Sequence, residues 1–442
     1  MFTIASYNMD NTFQCLRENA GVWNRYIRST HHDAYDTAIV LYLAIAVVVV
    51  FLTLGGRGRW TKEVIKPPQL EHDRNISKNA QAKGEIPRPY GTWQPSSFKS
   101  PTATPYPDWS LETTKPLPYR PFKYGPHYHI TMGLRNMDWN EWIELDNQYM
   151  RYHADKKKRI EEYGARCCTT DGSARTFDAA VELLEELRAY LSERYPSIFV
   201  TTAAGIDNIA TGESFDVNEL TVNGRKENPM QLCARLVQDD LDILFEGEDG
   251  QYYLRASGDF LSGVERLEER MGMSLSELHT SSGVPGFESK LEKGMMSFFR
   301  RLKPENPIVR HNYFIQVDEN LAHSIYGNDT SPAIGWDMVK KGKAIEHHYF
   351  RCERQSLRRL PRSGAVVFTI RTYVHPIVEI AEELGVAGRL ASAIRSWDED
   401  VARYKGREKY QEVLLEYLDQ KHDEQVALGL DTKEEGLNKY PW

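Results

Sequence analysis

The chain has 442 residues, of which 41% are apolar, and its formal net charge is −8. This length and apolar content allow one large domain or two smaller ones, and the acidic balance argues against nucleic acid as a partner. The odd count of five cysteines and the adjacent pair Cys167–Cys168 argue against a disulfide framework. No CxxC spacing occurs, which argues against a cysteine-based zinc or iron–sulfur site.

The N-terminal part contains a long apolar run, TAIVLYLAIAVVVVFLTL, at residues 37–54. A run of this length just spans the hydrocarbon core of a bilayer. A cleaved signal peptide is disfavoured because a long mixed segment, residues 1–36, precedes the run. More Lys and Arg follow the run than precede it, which places the C-terminal part in the cytosol. We therefore predict a short tail, a transmembrane anchor and a single-pass membrane localisation.

A proline-rich segment follows the apolar run. Its composition disfavours helices and central strands, so we predict an extended linker over residues 55–118 that holds the folded domain away from the membrane. Aromatic side chains such as Trp93 and Tyr106 are poorly suited to water, which allows part of the linker to lie on the domain surface.

The folded region is predicted over residues 119–428, before a short tail at 429–442. Apolar residues at helical spacing occur near Trp139–Met150 and elsewhere. The other predicted helices are Phe177–Arg194, Gly286–Leu302, Ile377–Leu384, Gly388–Tyr404 and Glu408–Asp423. The predicted strands are a hairpin over Ile243–Leu254 with an Asp249-Gly250 turn, Tyr313–Val317 and Ala365–Val374. Strands grouped between helices are typical of an α+β fold.

Several nucleotide and hydrolase motifs are missing. The sequence has no GxGxxG after a strand, no GxxxxGK[ST], no GxSxG and no HExxH. These absences argue against a Rossmann or P-loop site and against the common hydrolase and zinc-protease centres. If the protein is a redox enzyme, its electrons have to come from a separate reductase.

An arginine-rich stretch, RCERQSLRRLPRSGAVVFTIRTYVHP at residues 351–376, precedes and enters a predicted buried strand. Three interpretations are open: a solvated basic face, a contact with nucleic acid, or a clamp for phosphate or a pair of carboxylates. Arg371 lies inside the apolar run, which predicts a structural ion pair. Separately, His279 stands where a helix gives way to a loop of small residues, a setting suited to an axial haem ligand.

Four stretches together resemble one family. They are ERQSLRRLPRSGAVVFTIRTYVHP (353–376), LSELHTSSGVPGF (275–287), FFRRLKPENPIVRHNYFIQVD (298–318) and YRPFKYGPHYHITMGLRNMDWNEWIELD (119–146). They resemble the haem-dependent oxidative N-demethylase family in its fungal branch. The resemblance implies a PAS-like haem domain, in which an antiparallel sheet and flanking helices enclose haem b. The expected fold class is thus α+β with such a sheet, preceded by a single transmembrane helix and the proline-rich linker.

The resemblance also implies an activity. The protein is expected to be an oxidoreductase that demethylates a small alkylamine with O2 and releases formaldehyde, using a separate flavin and iron–sulfur or flavoprotein reductase. His279 is expected to be the axial ligand of the haem iron. Arg358 and Arg359, with Arg354, are expected to bind the two propionates, although neighbouring residues cannot share a face of a strand.

Glu353, Asp239 and Tyr373 are the candidate catalytic residues beside the amine. One departure from the family is Glu265, which stands where a tryptophan usually walls the haem pocket. This keeps a second interpretation open, a haem-binding sensor or scaffold without turnover. A third is a membrane-anchored glycosyltransferase, suggested by the anchor, the linker and Asp240-Leu-Asp242 as a DxD metal motif.

Overall fold

The computed structural model describes residues 88–260, 267–317 and 343–429. Strands and helices alternate irregularly along these ranges. The strands are β1 (Arg135–Asn136), β2 (Cys168–Thr170), β3 (Phe199–Thr201), β4 (Gly205–Asn208), β5 (Glu213–Asp216), β6 (Thr221–Val222), β7 (Arg225–Lys226), β8 (Asp240–Glu246), β9 (Tyr252–Gly258), β10 (Ile308–Gln316), β11 (Tyr349–Arg359) and β12 (Val366–Pro376). The α-helices are α1 (Tyr149–Tyr163), α2 (Ala174–Arg194), α3 (Pro229–Leu236), α4 (Leu267–Arg270), α5 (Leu275–Ser281), α6 (Glu292–Arg301), α7 (Ile377–Ile380), α8 (Val386–Arg395), α9 (Glu399–Tyr404) and α10 (Gln411–Ala427).

The strands form two antiparallel sheets. The larger sheet has seven strands in the order β1-β10-β11-β12-β8-β9-β2, and the smaller has five in the order β3-β4-β5-β6-β7. Long pairings of β11 with β10 and β12 hold the centre of the larger sheet. The α+β class predicted from the grouping of strands and helices is therefore correct in this respect.

The two faces of the larger sheet are covered by different helices. Side chains alternate between the faces along each strand. One face packs with α5 and α6 in an apolar cluster, and we call it the His279 face because His279 lies on α5. Its sheet residues in that cluster are Leu244, Ile308, Leu357 and Val366. The opposite face packs against α2 and α3 through residues that include Ile243 and Val367.

Several predicted elements are confirmed, because local signals were strong. Helix α2 contains the predicted Phe177–Arg194 and begins at Ala174, where the Ser173 side chain accepts from the Thr176 N–H. Strands β8 and β9 form the predicted hairpin, and Gly250 at its turn has φ of +83°, a conformation that glycine adopts without strain.

The helix predicted near Trp139–Met150 is wrong in its first half. Only a 3-10 turn forms at Trp139–Glu141, and α1 begins at Tyr149. The reason is tertiary packing, since Trp139 and Trp142 stack with ring centroids 5.1 Å apart and both rings meet Tyr190 of α2.

The described part of the proline-rich segment packs on the folded domain. The chain from Ile86 onward belongs to one compact unit. Trp93 Nε1 donates to the Pro361 carbonyl at 3.0 Å, Trp109 Nε1 donates to the Leu145 carbonyl at 2.7 Å, and Ala103 is buried. Proline prevents regular structure here, but the aromatic side chains find apolar and polar partners on the domain, so residues 88–118 are part of it.

The transmembrane element of the predicted fold class is corrected. In the three described ranges, no helix is both long enough and apolar enough to cross a bilayer. Helix α2 has 21 residues, but charged side chains occur along its whole length. The predicted anchor at residues 37–54 lies outside the described residues. The fold that the structure supports is α+β with antiparallel sheets, and the single-pass membrane localisation is not supported.

Candidate functional site

His279 is held by a well-capped short helix. The Ser274 hydroxyl accepts from the Glu277 N–H, and the Glu277 carboxylate accepts from the Ser274 N–H at 2.7 Å. This reciprocal pair satisfies N–H groups that the first turn of a helix leaves open. The cap therefore fixes the first residue of α5, and with it the position of His279 within this short helix.

The hydrogen bonding of His279 determines which ring nitrogen carries the lone pair. His279 Nδ1 donates to the Leu275 carbonyl at 2.7 Å. A carbonyl only accepts, so Nδ1 holds the proton and Nε2 keeps its lone pair in the neutral ring. Burial lowers the pKa of His279, and the charge of Arg310 adds to this effect. The ring also stacks on Phe287, with centroids 4.7 Å apart and planes at 13°. A neutral, oriented imidazole of this kind is suited to coordinate iron.

The wall next to His279 is apolar. Leu275 and Phe299 are buried in the cluster with the sheet residues of the His279 face, whereas Leu278, Met295 and Phe368 are only partly buried there. Partly buried apolar side chains beside a lone-pair nitrogen are what a flat, mostly apolar cofactor requires.

Positive charge lies on the same face. Among the described residues of β10 and β11, it carries Arg310, Arg351 and Arg359 and one carboxylate, Glu353. Arg310 is partly buried and donates from Nη1 to Gln355 Oε1 at 2.8 Å. A surplus of guanidinium groups beside an apolar wall suits a ligand with carboxylate groups.

Lys405 adds another cation at the edge of β10. Its Nζ donates to the Tyr313 carbonyl at 2.5 Å and to Asn312 Oδ1 at 3.3 Å. Burial lowers the pKa of Lys405 to about 7, against the opposing charge of Glu353. The charge of Lys405 is therefore less secure near neutral pH than the charges of Arg310, Arg351 and Arg359, which are permanent.

Glu353 is on the His279 face but is already engaged. Its carboxylate lies 3.1 Å from Arg351 Nε and 3.2 Å from Gln355 Nε2. Its side chain is mostly buried. Because the Glu353 carboxylate already has these two partners, it can bind an amine only if it contacts the amine and Arg351 at the same time.

Arg359 also extends from the His279 face, toward the end of α6. It donates to the Phe299 carbonyl at 2.6 Å, the Leu302 carbonyl at 2.8 Å and the Gly364 carbonyl at 2.6 Å. The last carbonyls of a helix have no partner within the helix and favour a cation. Arg359 thus fastens α6 to the sheet, and Trp93 covers its guanidinium at 4.9 Å.

Arg354 and Arg358 lie on the opposite face. Arg354 Nε is 3.0 Å from Glu144, and Arg358 Nη2 is 3.0 Å from Glu186. The Arg358 guanidinium also lies 4.3 Å from the ring of Trp142. Both arginines are buried against the helical side of the sheet, so the structure separates them from His279.

Asp239 and Tyr373 are also on that opposite side. The Tyr373 hydroxyl donates to Glu144. Asp239 is fully buried, and neither of its carboxylate oxygens has a hydrogen-bond partner within the described ranges. Burial raises the pKa of Asp239 to about 6, although Arg371, Lys156 and Arg354 oppose this. The structure therefore brings His279, Glu353 and Arg359 to one face and leaves the other candidates on the reverse side.

The structural ion pair predicted for Arg371 is confirmed. Arg371 Nη2 lies 2.5 Å from Asp146 Oδ2, and both side chains are buried on the face away from His279. Gln238 Nε2 donates to the same carboxylate at 3.0 Å. The pair is therefore part of the packing between β12 and the segment that precedes α1.

Sequence reasoning missed Arg310 of β10 and the neighbouring strand β11. β11 runs over Tyr349–Arg359 and is almost entirely buried, although its sequence is YFRCERQSLRR. Successive side chains of a strand lie on opposite faces, so Arg310 lies on the other face from its neighbours Val309 and His311. This alternation was the sequence signal that could have predicted the face of Arg310. Glu265, the departure from the family pattern, lies outside the described residues.

Comparison with known families gives a match over most of the folded region. The family model described as haem-dependent oxidative N-demethylase, alpha subunit-like matches residues 133–415. The match covers more than half of the chain and includes both His279 and the β10–β12 strands. The resemblance inferred from the sequence motifs is thereby confirmed at the level of the family, which is one that depends on haem. The chain belongs to the haem-dependent oxidative N-demethylase, alpha subunit-like family.

Proposed function

We propose that the protein is a haem-dependent oxidoreductase that removes a methyl group from a small alkylamine, and that His279 would bind the iron of haem b. The observation that carries this proposal is the hydrogen bond from His279 Nδ1 to the Leu275 carbonyl. It leaves the Nε2 lone pair available, and Phe287 holds the ring plane by stacking. Metal-binding histidines are commonly oriented in this way by a partner on the other nitrogen.

The residues that would hold the propionates follow from the charge on the His279 face. Arg310 is partly buried there, and its charge acts on His279 itself. Arg354 and Arg358 have buried acidic partners on the other face, and Arg359 is engaged by carbonyls of α6. We therefore assign Arg310 to the propionates, and assign Arg354, Arg358 and Arg359 to the stability of the sheet.

Haem held at this place would supply the activation of O2 for oxidation of an N-methyl carbon, and a separate flavin or iron–sulfur reductase would supply the electrons, with formaldehyde as the released product. The chain's own contribution is binding and orientation. The apolar cluster around Leu275 and Leu278 excludes water from the space beside His279. Glu353 and Gln355 place polar groups on the sheet opposite α5.

The strand order supports the PAS-like haem domain in this proposal. The five adjacent strands β10-β11-β12-β8-β9 form one antiparallel sheet, and α5 and α6 lie between β9 and β10 in the chain. The helices therefore cross over the His279 face and pack against it. The glycosyltransferase alternative loses its support, because Asp240-Leu-Asp242 lies within the buried strand β8 and the family is a haem-dependent one.

The test is the visible spectrum of the full chain loaded with haem. His279→Gly is expected to lose the bound-haem Soret band, and added imidazole is expected to restore it, because free imidazole can occupy the ligand position. The exposed His347 provides a matched control, and His347→Ala is expected to keep the spectrum. A His279→Gly protein with an unchanged spectrum would contradict the ligand assignment.

Turnover separates an enzyme from a sensor. The haem-loaded chain is supplied with dimethylamine, O2 and a reductase or chemical reductant, and formaldehyde is measured. Release of formaldehyde that depends on both the amine and His279 supports the demethylase. A haem-loaded protein that binds the amine but releases no formaldehyde with any electron source would favour the sensor.

A further inference from the structure

A short segment ahead of the folded core is joined to the elements that hold the His279 helix. Residues 88–93, which we call the strap, contact the C-terminal end of α6 and the turn between β8 and β9. Side chains of α6 and of β8–β9 in turn reach α5. The strap is therefore one step removed from His279, through two separate routes.

The first contact is a buried carboxylate that the strap and α6 share. Glu246 of β8 pairs with Arg88 of the strap and with Arg300 Nη1 of α6, the latter at 3.1 Å. Arg300 also donates from Nη2 to the Arg88 carbonyl. The Glu246 side chain is only 4% exposed, so its charge depends on both arginines, and removal of one leaves it poorly compensated.

Tyr90 links the end of α6 to the β8–β9 turn. The Arg300 guanidinium lies 4.1 Å from the centre of the Tyr90 ring, an arrangement in which the ring face attracts the cation. The same ring packs on the backbone of Gly250, where an added Cβ would lie only 2.8 Å from Tyr90 Cε1. Glycine at the turn therefore allows a contact that a side chain would block.

Trp93 covers the second arginine at the end of α6. Its ring lies 4.9 Å from the guanidinium of Arg359, which donates to the Phe299 and Leu302 carbonyls. A side chain on Gly364 would overlap the Trp93 ring, so this position also depends on glycine. Because the ring keeps water away from the guanidinium, the hydrogen bonds to the carbonyls of α6 are strengthened. The strap thus covers both arginines that fasten α6 to the sheet.

Two contacts carry this attachment onward to His279. Ser276 Oγ of α5 lies 2.6 Å from Glu292 Oε1 of α6 and 3.1 Å from Gln251 Oε1, next to the β8–β9 turn. The His279 ring stacks on Phe287, in the helical segment directly before α6. A shift of α6 or of the turn therefore changes the position of the His279 ring.

We propose that Arg88, Tyr90 and Trp93 are positioning residues for the iron site: the strap holds α6 and the β8–β9 turn against α5, and thereby fixes His279 for iron binding. This assignment rests on the proposed function. It extends the site to residues outside the family match, which begins at residue 133. The three residues act through α6 and α5, and no contact of theirs with the haem is part of the proposal.

The short length of α5 explains why the strap is needed. The helix has seven residues, and a helix of this length has little stability of its own, so its orientation depends on what packs around it. Loosening of the strap is therefore expected to release α5 and α6 locally. Helix α2, on the opposite face of the sheet, is expected to keep its stability.

The first measurement is amide hydrogen exchange in the haem-free full chain. Arg88→Ala and Tyr90→Ala are expected to speed exchange in α5 and α6 about 10-fold and about 3-fold, with exchange in α2 unchanged. Tyr90 is half exposed, so its replacement leaves the core intact. Tyr90→Phe is the matched control, since it keeps the ring and the Tyr90 hydroxyl has no hydrogen bond within the described ranges.

The second measurement is haem transfer from the loaded full chain to apomyoglobin. Transfer is expected to become about 10-fold faster in Arg88→Ala and about 3-fold faster in Tyr90→Ala. Arg88→Lys is expected to recover part of the difference, because it restores a cation beside Glu246. Trp109→Ala removes a contact of the same proline-rich segment with Leu145. It is expected to lower the melting temperature without speeding haem transfer.

Two results would overturn the inference. One is unchanged exchange in α5 and α6, or unchanged haem transfer, in both Arg88→Ala and Tyr90→Ala. The other is haem transfer that is accelerated equally in Trp109→Ala, since a general loss of stability would then be the cause. The Soret band is read separately: its absence from the unaltered protein contradicts the proposed haem function, whereas a normal band with either result contradicts only the role of the strap.

Discussion

Arg358 and Arg359 are neighbours in the chain, yet their guanidinium groups lie on opposite faces of β11. Arg358 lies 3.0 Å from Glu186 on the helical side, whereas Arg359 donates to the Leu302 carbonyl at 2.8 Å on the His279 face. The alternation of side chains along a strand requires this divergence. A ligand bound next to His279 is therefore out of reach of Arg358.

Replacement of Arg358 by alanine is expected to lower the free energy of unfolding by about 3 kcal/mol or more, because it leaves Glu186 without its cation and a gap beside Trp142. Urea denaturation measures the change. Arg362→Ala is the control, since its pair with Glu185 is exposed and is worth less than about 1 kcal/mol. Equal small losses for both variants, with haem lost from Arg358→Ala alone, would instead support the propionate role.

Arg310 is expected to determine how firmly haem is retained. Arg310→Gln removes one of the cations on the His279 face but keeps a hydrogen-bonding side chain beside Gln355. Haem transfer to apomyoglobin is expected to become about 10-fold faster, which corresponds to the loss of one charge-assisted hydrogen bond. Arg403→Gln serves as the control, because Arg403 is exposed. Unchanged transfer in folded Arg310→Gln protein would remove Arg310 from the propionate site.

The folded unit is expected to require residues 86–118. A fragment of residues 119–442 lacks Trp93, which covers Arg359, and Trp109, which donates to the Leu145 carbonyl. Its melting temperature is expected to be at least about 5 °C lower than that of a fragment of residues 86–442. Trp93→Ala in the longer fragment is expected to reproduce part of the decrease. Identical melting temperatures would show that the segment adds no stability.

Asp239 is expected to make stability depend on pH. Its folded pKa of about 6 is above the unfolded value of about 3.9, so the native state binds a proton more tightly than the unfolded state. Stability then falls as the pH rises from about 4 to about 6, and the cost persists above that range.

Asp239→Asn removes the ionisable group and its cost. It is expected to raise the free energy of unfolding by up to about 3 kcal/mol at pH 8, and by about half as much at pH 5, since a shift of about two pKa units is worth about 3 kcal/mol when fully expressed. Urea denaturation at both pH values checks this. Asp400→Asn is the control because its side chain is exposed. A gain that is the same at both pH values would contradict the assignment to Asp239 ionisation.

The sequence alone was sufficient where the signal is local. The apolar spacing of α2 and the Asp249-Gly250 turn between β8 and β9 depend on residues close together in the chain, and both elements were predicted. The motif around His279 and the stretch at residues 353–376 were sufficient for the family. These features need no knowledge of distant contacts, because helical periodicity, turn conformation and short motifs are properties of a few consecutive residues.

Only the tertiary structure decided the roles of the arginines. β11 is a central strand whose charged residues are stable in the core because Glu144, Glu186 and the carbonyls of α6 reach them from distant parts of the chain. Residue type alone predicts that such charged residues lie at the protein surface. The face on which each side chain lies follows from strand register, which is set by pairing with β10 and β12. The sequence therefore determined the family and the axial histidine candidate, whereas the fold determined which charged groups share the face of His279.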